Sequence, residues 1–173
     1  GDGNDTIFVL GQDNTIKAGR GDDWALVCGM NNKVDGGSGA DCLVALGWNN
    51  TLYGDISTVE NGDDTLIFIG GNNQVQGNGG NDLILGAGLA NQVQGNAGND
   101  IALLAGLVQN LDLGAGDDIG LTLGAYSNLL GGDGQDALYA IGLANIVLAG
   151  NGNDFLYTAG VGNFLWGQAG NDV

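Results

Sequence analysis

The sequence predicts an all-β fold, a parallel β-solenoid whose coils each contain eighteen residues and whose two parallel sheets face each other. Three observations predict this fold. A Gly-X-Asp motif returns every eighteen residues, two short apolar stretches follow within each unit, and turns rich in glycine or asparagine separate those stretches. Apolar runs of about five residues between such turns are typical of strands and are too short for helices.

The recurring aspartate and glycine set the register of the repeat. The aspartates are Asp5, Asp23, Asp41, Asp64, Asp82, Asp100, Asp118, Asp136, Asp154 and Asp172, and the glycines two positions earlier are Gly3, Gly21, Gly39, Gly62, Gly80, Gly98, Gly116, Gly134, Gly152 and Gly170. One insertion, the five residues from Asp55 to Val59, breaks the spacing, and we expect it to bulge as a small loop between coils. Because no coil can bury its apolar face alone, residues 1–173 are expected to form a single β-solenoid of about nine and a half coils. We expect this solenoid to be a fragment of a longer protein.

The first apolar stretch of each unit follows the aspartate, as in Thr6 to Leu10, and a glycine ends it. Side chains alternate between the faces of a strand, so if the second and fourth residues point inward, the third points outward. This third position is apolar in every unit and is our candidate interface: Phe8, Leu26, Val44, Ile67, Leu85, Leu103, Leu121, Tyr139 and Tyr157. An apolar outer column of this length indicates self-association or a neighbouring chain, unless the facing is reversed and these residues form the core.

The second apolar stretch follows an asparagine-rich turn, and its outward positions begin polar, at Lys17 and Gln76, and become apolar toward Trp166. Its central residues are Ile16, Val34, Leu52, Val75, Val93, Leu111, Leu129, Val147 and Leu165. The turn itself carries Asn14, Asn32, Asn50, Asn73, Asn91, Gln109, Ser127, Asn145 and Asn163. Stacked side-chain amides bond to one another along a solenoid axis, so we interpret this column as a structural ladder.

Composition excludes several classes of function. The formal net charge is −17 and the only cations are Lys17, Arg20 and Lys33, so a nucleic-acid partner is not expected. The chain has no histidine and no serine with a paired base, which argues against catalysis, and it lacks the ligand spacing of a zinc site. Cys28 and Cys42 are about 13 Å apart by strand position, too far for a disulfide between them, so we expect free thiols or an intermolecular bridge. We expect no signal peptide and no membrane span, since the apolar runs are short.

The column of aspartates predicts bound calcium. Ten carboxylates stacked about 5 Å apart repel one another even in a high dielectric, and the alternative, that they only cap turns, leaves this repulsion uncompensated. One Ca2+ in each of the nine gaps between ten stacked aspartate loops adds about +18 and nearly cancels the charge of −17. The flanking glycines let main-chain carbonyls turn toward the same point, so the aspartates and glycines of the motif are the candidate metal site.

The stretch Gly19-Arg20-Gly21-Asp22-Asp23-Trp24-Ala25 and its counterparts resemble the calcium-binding nonapeptide of the RTX (repeats-in-toxin) proteins. The resemblance covers the whole chain and implies a right-handed parallel β-roll, with calcium held between loops by aspartate carboxylates and backbone carbonyls, in proteins that bacteria export. The usual β-roll carries the motif on both edges, whereas the second half-turn here carries asparagine. We therefore expect calcium along one edge only, as in the solenoid regions of bacterial ice-binding adhesins.

These observations predict a calcium-stabilised structural segment of an exported bacterial protein, such as an adhesin, a surface protein or an extracellular filament component, that self-associates through its apolar sheet face. The alternative is the secretion and folding module of an exported hydrolase or toxin, for which aspartate motifs are expected on both edges. Ice binding is the least favoured reading, because the residues between the two motif glycines, such as Arg20, Ala97 and Asn151, include no regular threonine array. Each reading places the protein outside the cell or at its surface.

Overall fold

A computed structural model describes residues 1–55 and 62–173, and its regular structure consists of strands that alternate between two parallel sheets of nine strands each. The first sheet contains Thr6–Gln12 (β1), Trp24–Met30 (β3), Cys42–Trp48 (β5), Thr65–Gly71 (β7), Leu83–Leu89 (β9), Ile101–Leu107 (β11), Ile119–Ala125 (β13), Ala137–Leu143 (β15) and Phe155–Val161 (β17). The second contains Thr15–Arg20 (β2), Lys33–Ser38 (β4), Thr51–Asp55 (β6), Gln74–Gly79 (β8), Gln92–Ala97 (β10), Asn110–Ala115 (β12), Asn128–Asp133 (β14), Ile146–Asn151 (β16) and Phe164–Ala169 (β18). The predicted β-solenoid with two parallel sheets is confirmed.

Strand pairing follows the repeat residue by residue. Thr6 pairs with Trp24, eighteen positions later, and Ile101 pairs with Ile119 in the same way. Across the insertion the offset grows, so that Cys42 pairs with Thr65 and the first sheet continues without a break. Equivalent side chains therefore stack in columns along the axis, at the spacing of about 4.8 Å between adjacent strands.

The core lies between the two sheets. Val27, Leu43 and Phe68 of the first sheet face Leu52 and Leu111 of the second sheet. All five side chains are fully buried. The intervening residues of the first sheet point outward, as shown by Leu10, which is 84% exposed. The facing predicted from the sequence is confirmed, and the reversed facing, in which the candidate interface column forms the core, is wrong.

The prediction for the start of the insertion is wrong. Asp55 is not part of a bulging loop, because it is the last residue of β6, pairs with Gly37 and is fully buried. Its carboxylate Oδ2 accepts a hydrogen bond from the backbone N–H of Gly62, 3.0 Å away, which allows a charged residue to end a buried strand. The rest of the predicted insertion, residues 56–59, lies outside the described residues.

The asparagine ladder predicted at the turn between the sheets is confirmed. The backbone N–H of Asn32 donates to Oδ1 of Asn50 at 3.0 Å, and the Asn32 amide donates to Oδ1 of Asn50 at 3.1 Å and to the Gly11 carbonyl at 3.1 Å. Asn73 repeats this pattern toward Asn91. The side-chain amides of this edge thus find their hydrogen-bond partners in neighbouring coils, without any cation.

The remaining structural predictions concern the cysteines and membrane spans. Cys28 and Cys42 are both free and half-buried, on neighbouring strands β3 and β5. Among the described residues, no helix is long and apolar enough to cross a membrane.

Candidate metal centre

The repeat aspartates form one column along a single edge of the solenoid, and those from Asp5 to Asp154 each stand directly before a strand of the first sheet. They lie at the end of the core between the sheets, and their side chains turn inward. Their exposed surface is 1% for Asp64, Asp100 and Asp118 and 2% for Asp23, Asp41, Asp82, Asp136 and Asp154. Asp5 and Asp172, in the two terminal coils, are half-buried. Eight carboxyl groups are therefore removed from water and stacked one above another.

One oxygen of each aspartate side chain from Asp23 to Asp172 has a hydrogen-bond partner. The backbone N–H of each aspartate donates to Oδ1 of the aspartate in the following coil, over distances from 2.6 Å for Asp5 and Asp23 to 3.1 Å for Asp154 and Asp172. The ladder crosses the insertion intact, since the N–H of Asp41 donates to Oδ1 of Asp64 at 2.8 Å. This arrangement is the same as that of the asparagine ladder on the opposite edge.

The second oxygen distinguishes the two edges. Among the described residues, the buried Oδ2 atoms of the ladder have no hydrogen-bond partner in Asp23, Asp41, Asp64, Asp82, Asp100, Asp118, Asp136 and Asp154. In the asparagine ladder the equivalent atom is an N–H2 group that donates to a glycine carbonyl, as Asn50 does to Gly29 at 3.2 Å. A carboxylate cannot donate, so each buried Oδ2 needs either a cation or a proton.

Burial raises the pKa of the central aspartates. The pKa rises from 3.8 to about 8 for Asp64 and to about 7 for Asp100, mainly because desolvation disfavours the charged form. The hydrogen bond from the backbone of the preceding aspartate lowers these pKa values, and the charges of neighbouring carboxylates raise them further. The pKa is also raised to about 7 in Asp82 and Asp118 and to about 6 in Asp41 and Asp136. An empty ladder at neutral pH is therefore partly protonated or strongly destabilised.

The motif glycines bring main-chain oxygens to the same edge. A Cβ on Gly98 would lie 1.8 Å from the carbonyl oxygen of Gly80, and one on Gly134 would lie 1.9 Å from that of Gly116. Only glycine permits this approach, in which the carbonyl of one coil points along the axis at the next coil. The structure places the motif glycines beside the aspartate ladder, as predicted, so carbonyl and carboxylate oxygens line the same edge.

A second set of small residues, for which the repeat alone predicts no role, borders the unpartnered oxygens. A Cβ on Gly77 would lie 1.9 Å from Oδ2 of Asp82, and a Cβ on Gly95 would lie 2.1 Å from Oδ2 of Asp100. The position is glycine in six coils and Ala18, Leu113 or Ala149 in the others. The sequence does contain a signal for this position, because a glycine or alanine stands five positions before most ladder aspartates.

The donor set fits calcium. It consists of oxygen atoms only, from carboxylates and carbonyls, which are the ligands that Ca2+ prefers. In the described part of the chain no group of three acidic, histidine or cysteine side chains is close enough to hold a metal ion, so backbone carbonyls must contribute to any calcium shell. The unpartnered Oδ2 atoms provide the negative charge that a cation would neutralise.

The comparison with protein families agrees with this chemistry. The sequence matches four copies of the RTX calcium-binding nonapeptide repeat, over residues 1–25, 69–102 and 148–173. These three segments of the chain are similar to RTX calcium-binding repeats. RTX repeats bind Ca2+ between coils and occur in exported bacterial proteins, and the buried aspartate ladder fits such sites. No curated protein and no solved structure was found to match the chain.

The candidate interface residues lie away from the aspartate ladder, on the outer face of the first sheet. Phe8 is 69% exposed, Tyr157 48% and Leu103 40%, while the others of the column are half-buried by their neighbours. Leu10, Leu46, Ile69, Leu123 and Ile141 extend the apolar surface on one side. We call this surface, made of the outward side chains of the nine odd-numbered strands of the first sheet, the apolar face. None of its side chains is charged.

Proposed function

We propose that this chain is a calcium-stabilised structural segment of an exported bacterial RTX protein, such as an adhesin or a component of a surface layer or extracellular filament. Calcium ions between successive coils bind the ladder aspartates and the carbonyls of the motif glycines, about one ion per gap. The segment has no catalytic activity of its own, and it works outside the cell or at its surface, where calcium is abundant. Its role is to form a rigid rod only after export.

The buried, unpartnered Oδ2 atoms support this proposal more than any other feature. Each coil contributes the same carboxylate to the same column, and eight of these oxygens are buried at the edge of the core with no hydrogen-bond donor in the described part of the chain. On the opposite edge, amides such as that of Asn73 form a closed ladder that needs no ion. The two edges share the hydrogen bond from the backbone N–H to the side-chain oxygen of the next coil and differ in charge, so the metal has a use on one edge only.

Calcium removal tests the proposal. The chain in 5 mM calcium is compared with the same chain after addition of excess EGTA at pH 7.5, by circular dichroism and thermal melting, and native mass spectrometry counts the bound ions. We expect several calcium ions per chain, of the order of one per gap, and loss of the β-sheet signal on chelation. A melting curve that EGTA leaves unchanged, with no bound calcium in the mass spectrum, contradicts the proposal.

We propose further that two copies pair through the apolar face. Nine strands about 4.8 Å apart make a surface about 38 Å long, and four outward columns about 6.7 Å apart make it about 20 Å wide. The face therefore offers about 760 Å2 per copy, close to the roughly 800 Å2 that each partner contributes to a stable interface. It repeats regularly and lacks charge, whereas the outer face of the second sheet carries Lys17, Lys33 and Asp112. A second copy matches this face in length and chemistry.

Sedimentation velocity of the calcium-loaded chain over rising concentration tests the pairing. We expect dimers or larger assemblies for the natural chain, monomers for Leu121→Asp, which places a charge on the apolar face, and unchanged assembly for Gln92→Asp on the second sheet. Both variants should melt at similar temperatures when diluted to monomers. A natural chain that stays monomeric up to millimolar concentration, or equal assembly of both variants, contradicts self-association and leaves the calcium proposal intact.

A further inference from the structure

Asp55 does not belong to the repeated motif, and the fold buries it beside the aspartate ladder. Within residues 1–55 and 62–173 it is the one buried acid that does not belong to the aspartate ladder, and its exposed surface is 0%. It pairs with Gly37, so it occupies the strand position where the neighbouring coil has a glycine. A negative charge has therefore been added to one coil of an otherwise regular edge.

The Asp55 carboxylate lies beside Gly62, the motif glycine two positions before Asp64. Its Oδ2 accepts a hydrogen bond from the N–H of Gly62 at 3.0 Å. A Cβ on Gly62 would lie 3.2 Å from Asp55 Oδ1 and 2.0 Å from the carbonyl oxygen of Gly39, so carboxylate and carbonyl border the same space. These contacts place the additional charge at one gap of the ladder.

Other coils fill this hydrogen-bonding role with a neutral group. The N–H of Gly80 donates to the carbonyl of Ala97 at 3.1 Å, and that of Gly98 donates to the carbonyl of Ala115 at 2.9 Å. At Gly62 a carboxylate accepts the bond instead. The exchange adds a full negative charge to a turn that elsewhere holds only carbonyl dipoles.

The same gap also holds unpartnered ladder oxygens. Oδ2 of Asp41 and Oδ2 of Asp64 are buried and have no hydrogen-bond partner among the described residues. A Cβ on Gly54, the residue before Asp55, would lie 2.1 Å from Oδ2 of Asp64, so that oxygen points at this segment.

We propose that Asp55 makes the gap between the coils of Asp41 and Asp64 the strongest calcium site of the ladder. This inference rests on the proposed function, because it concerns the same ions. Calcium affinity increases with the number of negative charges around the ion, and Asp55 adds one to those of Asp41 and Asp64. A unit charge a few ångströms from a divalent ion changes its affinity by about tenfold or more even in a high dielectric.

The test counts the calcium ions that remain as free calcium is lowered with chelator buffers, by native mass spectrometry of the full chain. We expect the natural chain to retain one ion at free calcium about tenfold below the level at which the others leave. Asp55→Asn keeps an oxygen for the Gly62 N–H and should lose this last ion together with the rest. Asp13→Asn, an equal charge change at the exposed opposite edge, should behave like the natural chain.

Two further comparisons separate the possible failures. Asp64→Asn should remove the tightest ion while Asp100→Asn keeps it, which tests the inference even if the Asp55 variant does not fold. Without calcium, Asp55→Asn should be more stable than the natural chain, whereas a purely structural role of Asp55 predicts lower stability. Equal ion loss from the natural chain and Asp55→Asn overturns this inference, and a natural chain that binds no calcium overturns the proposed function itself.

Discussion

Stripped of calcium, the chain should become less stable as the pH rises, because its buried aspartates hold protons that the unfolded chain releases. Their pKa in the folded state is raised above the ordinary value of 3.8, to between about 6 for Asp41 and about 8 for Asp64. A group with a raised folded-state pKa stabilises the fold fully below its unfolded pKa and loses that contribution as the pH rises through the folded-state value. The loss should therefore begin near pH 4 and be complete near pH 8.

The expected effect is large. The pKa of Asp100 rises from 3.8 to about 7, and each pKa unit corresponds to 1.36 kcal/mol, so ionising this one group costs about 4 kcal/mol of unfolding free energy. A whole domain is stable by about 5 to 15 kcal/mol. Asp82 and Asp118 have the same pKa, about 7, so ionising three such groups without calcium removes most or all of the stability of the fold.

The assay strips calcium by dialysis against EGTA at pH 8, removes the chelator and exchanges the chain into calcium-free buffers from pH 5.5 to pH 8.5, above its isoelectric point of about 4.1. Circular dichroism reports the sheet and tryptophan fluorescence follows melting at Trp24, Trp48 and Trp166. We expect a folded, calcium-free chain at pH 5.5, progressive unfolding toward pH 8, and refolding when calcium is added at pH 8. The calcium-loaded chain should be much less sensitive to pH.

Two results would refute this reasoning. A calcium-free chain that keeps the same melting temperature from pH 5.5 to pH 8.5 would show that the ladder carboxylates are not destabilising when ionised. A calcium-free chain that is less stable at pH 5.5 than at pH 8 would reverse the sign of the effect, which raised pKa values cannot explain.

Three further predictions test single residues. Asp100→Asn should raise the melting temperature without calcium at pH 8 and reduce the increase in melting temperature that calcium produces, as measured by calorimetry. A melting temperature that shifts in the same direction with and without calcium would contradict the proposed role of the ladder carboxylates. Asn91→Leu removes a buried amide that bonds along the opposite edge and should cost about 2–4 kcal/mol in urea unfolding, equally with and without calcium. Gly106→Ala should prevent folding or lower the free energy of unfolding by about 3 kcal/mol or more, because its Cβ would lie 1.8 Å from the Gly88 carbonyl oxygen. Gly162→Ala, whose Cβ would lie 3.9 Å from the nearest atom, should lower it by only about 1 kcal/mol in the same urea unfolding experiment.

The fold could be predicted because the repeat determines both register and facing. Alternation within one strand separates Val27, which is buried, from Leu26, which is half-buried on the outer side. The eighteen-residue spacing brings Asn32 above Asn50, and an amide has both the donor and the acceptor that such a stack requires. Column membership follows from the period alone, so the sequence sufficed for the sheets, the core and both ladders.

The parts that could not be predicted depend on how individual side chains rotate and on where the regular spacing breaks. The period places Asp64 and Asp82 in one column, but it does not tell that one oxygen of each bonds to the backbone while the other points at Gly54 or Gly77. The spacing predicts a loop from the first residue of the insertion, because a count of residues cannot show that Asp55 still completes a strand. Hydrogen bonding to Gly62 decides that boundary.

The stacking of coils also determines how the segment responds to tension. The backbone hydrogen bonds between neighbouring strands run along the long axis, so a pull on the two ends of the chain loads one coil boundary at a time and peels the terminal coil first. Each released coil frees eighteen residues, about 60 Å of extended chain, in place of about 4.8 Å of rod. A single segment can therefore lengthen stepwise under load, one coil at a time.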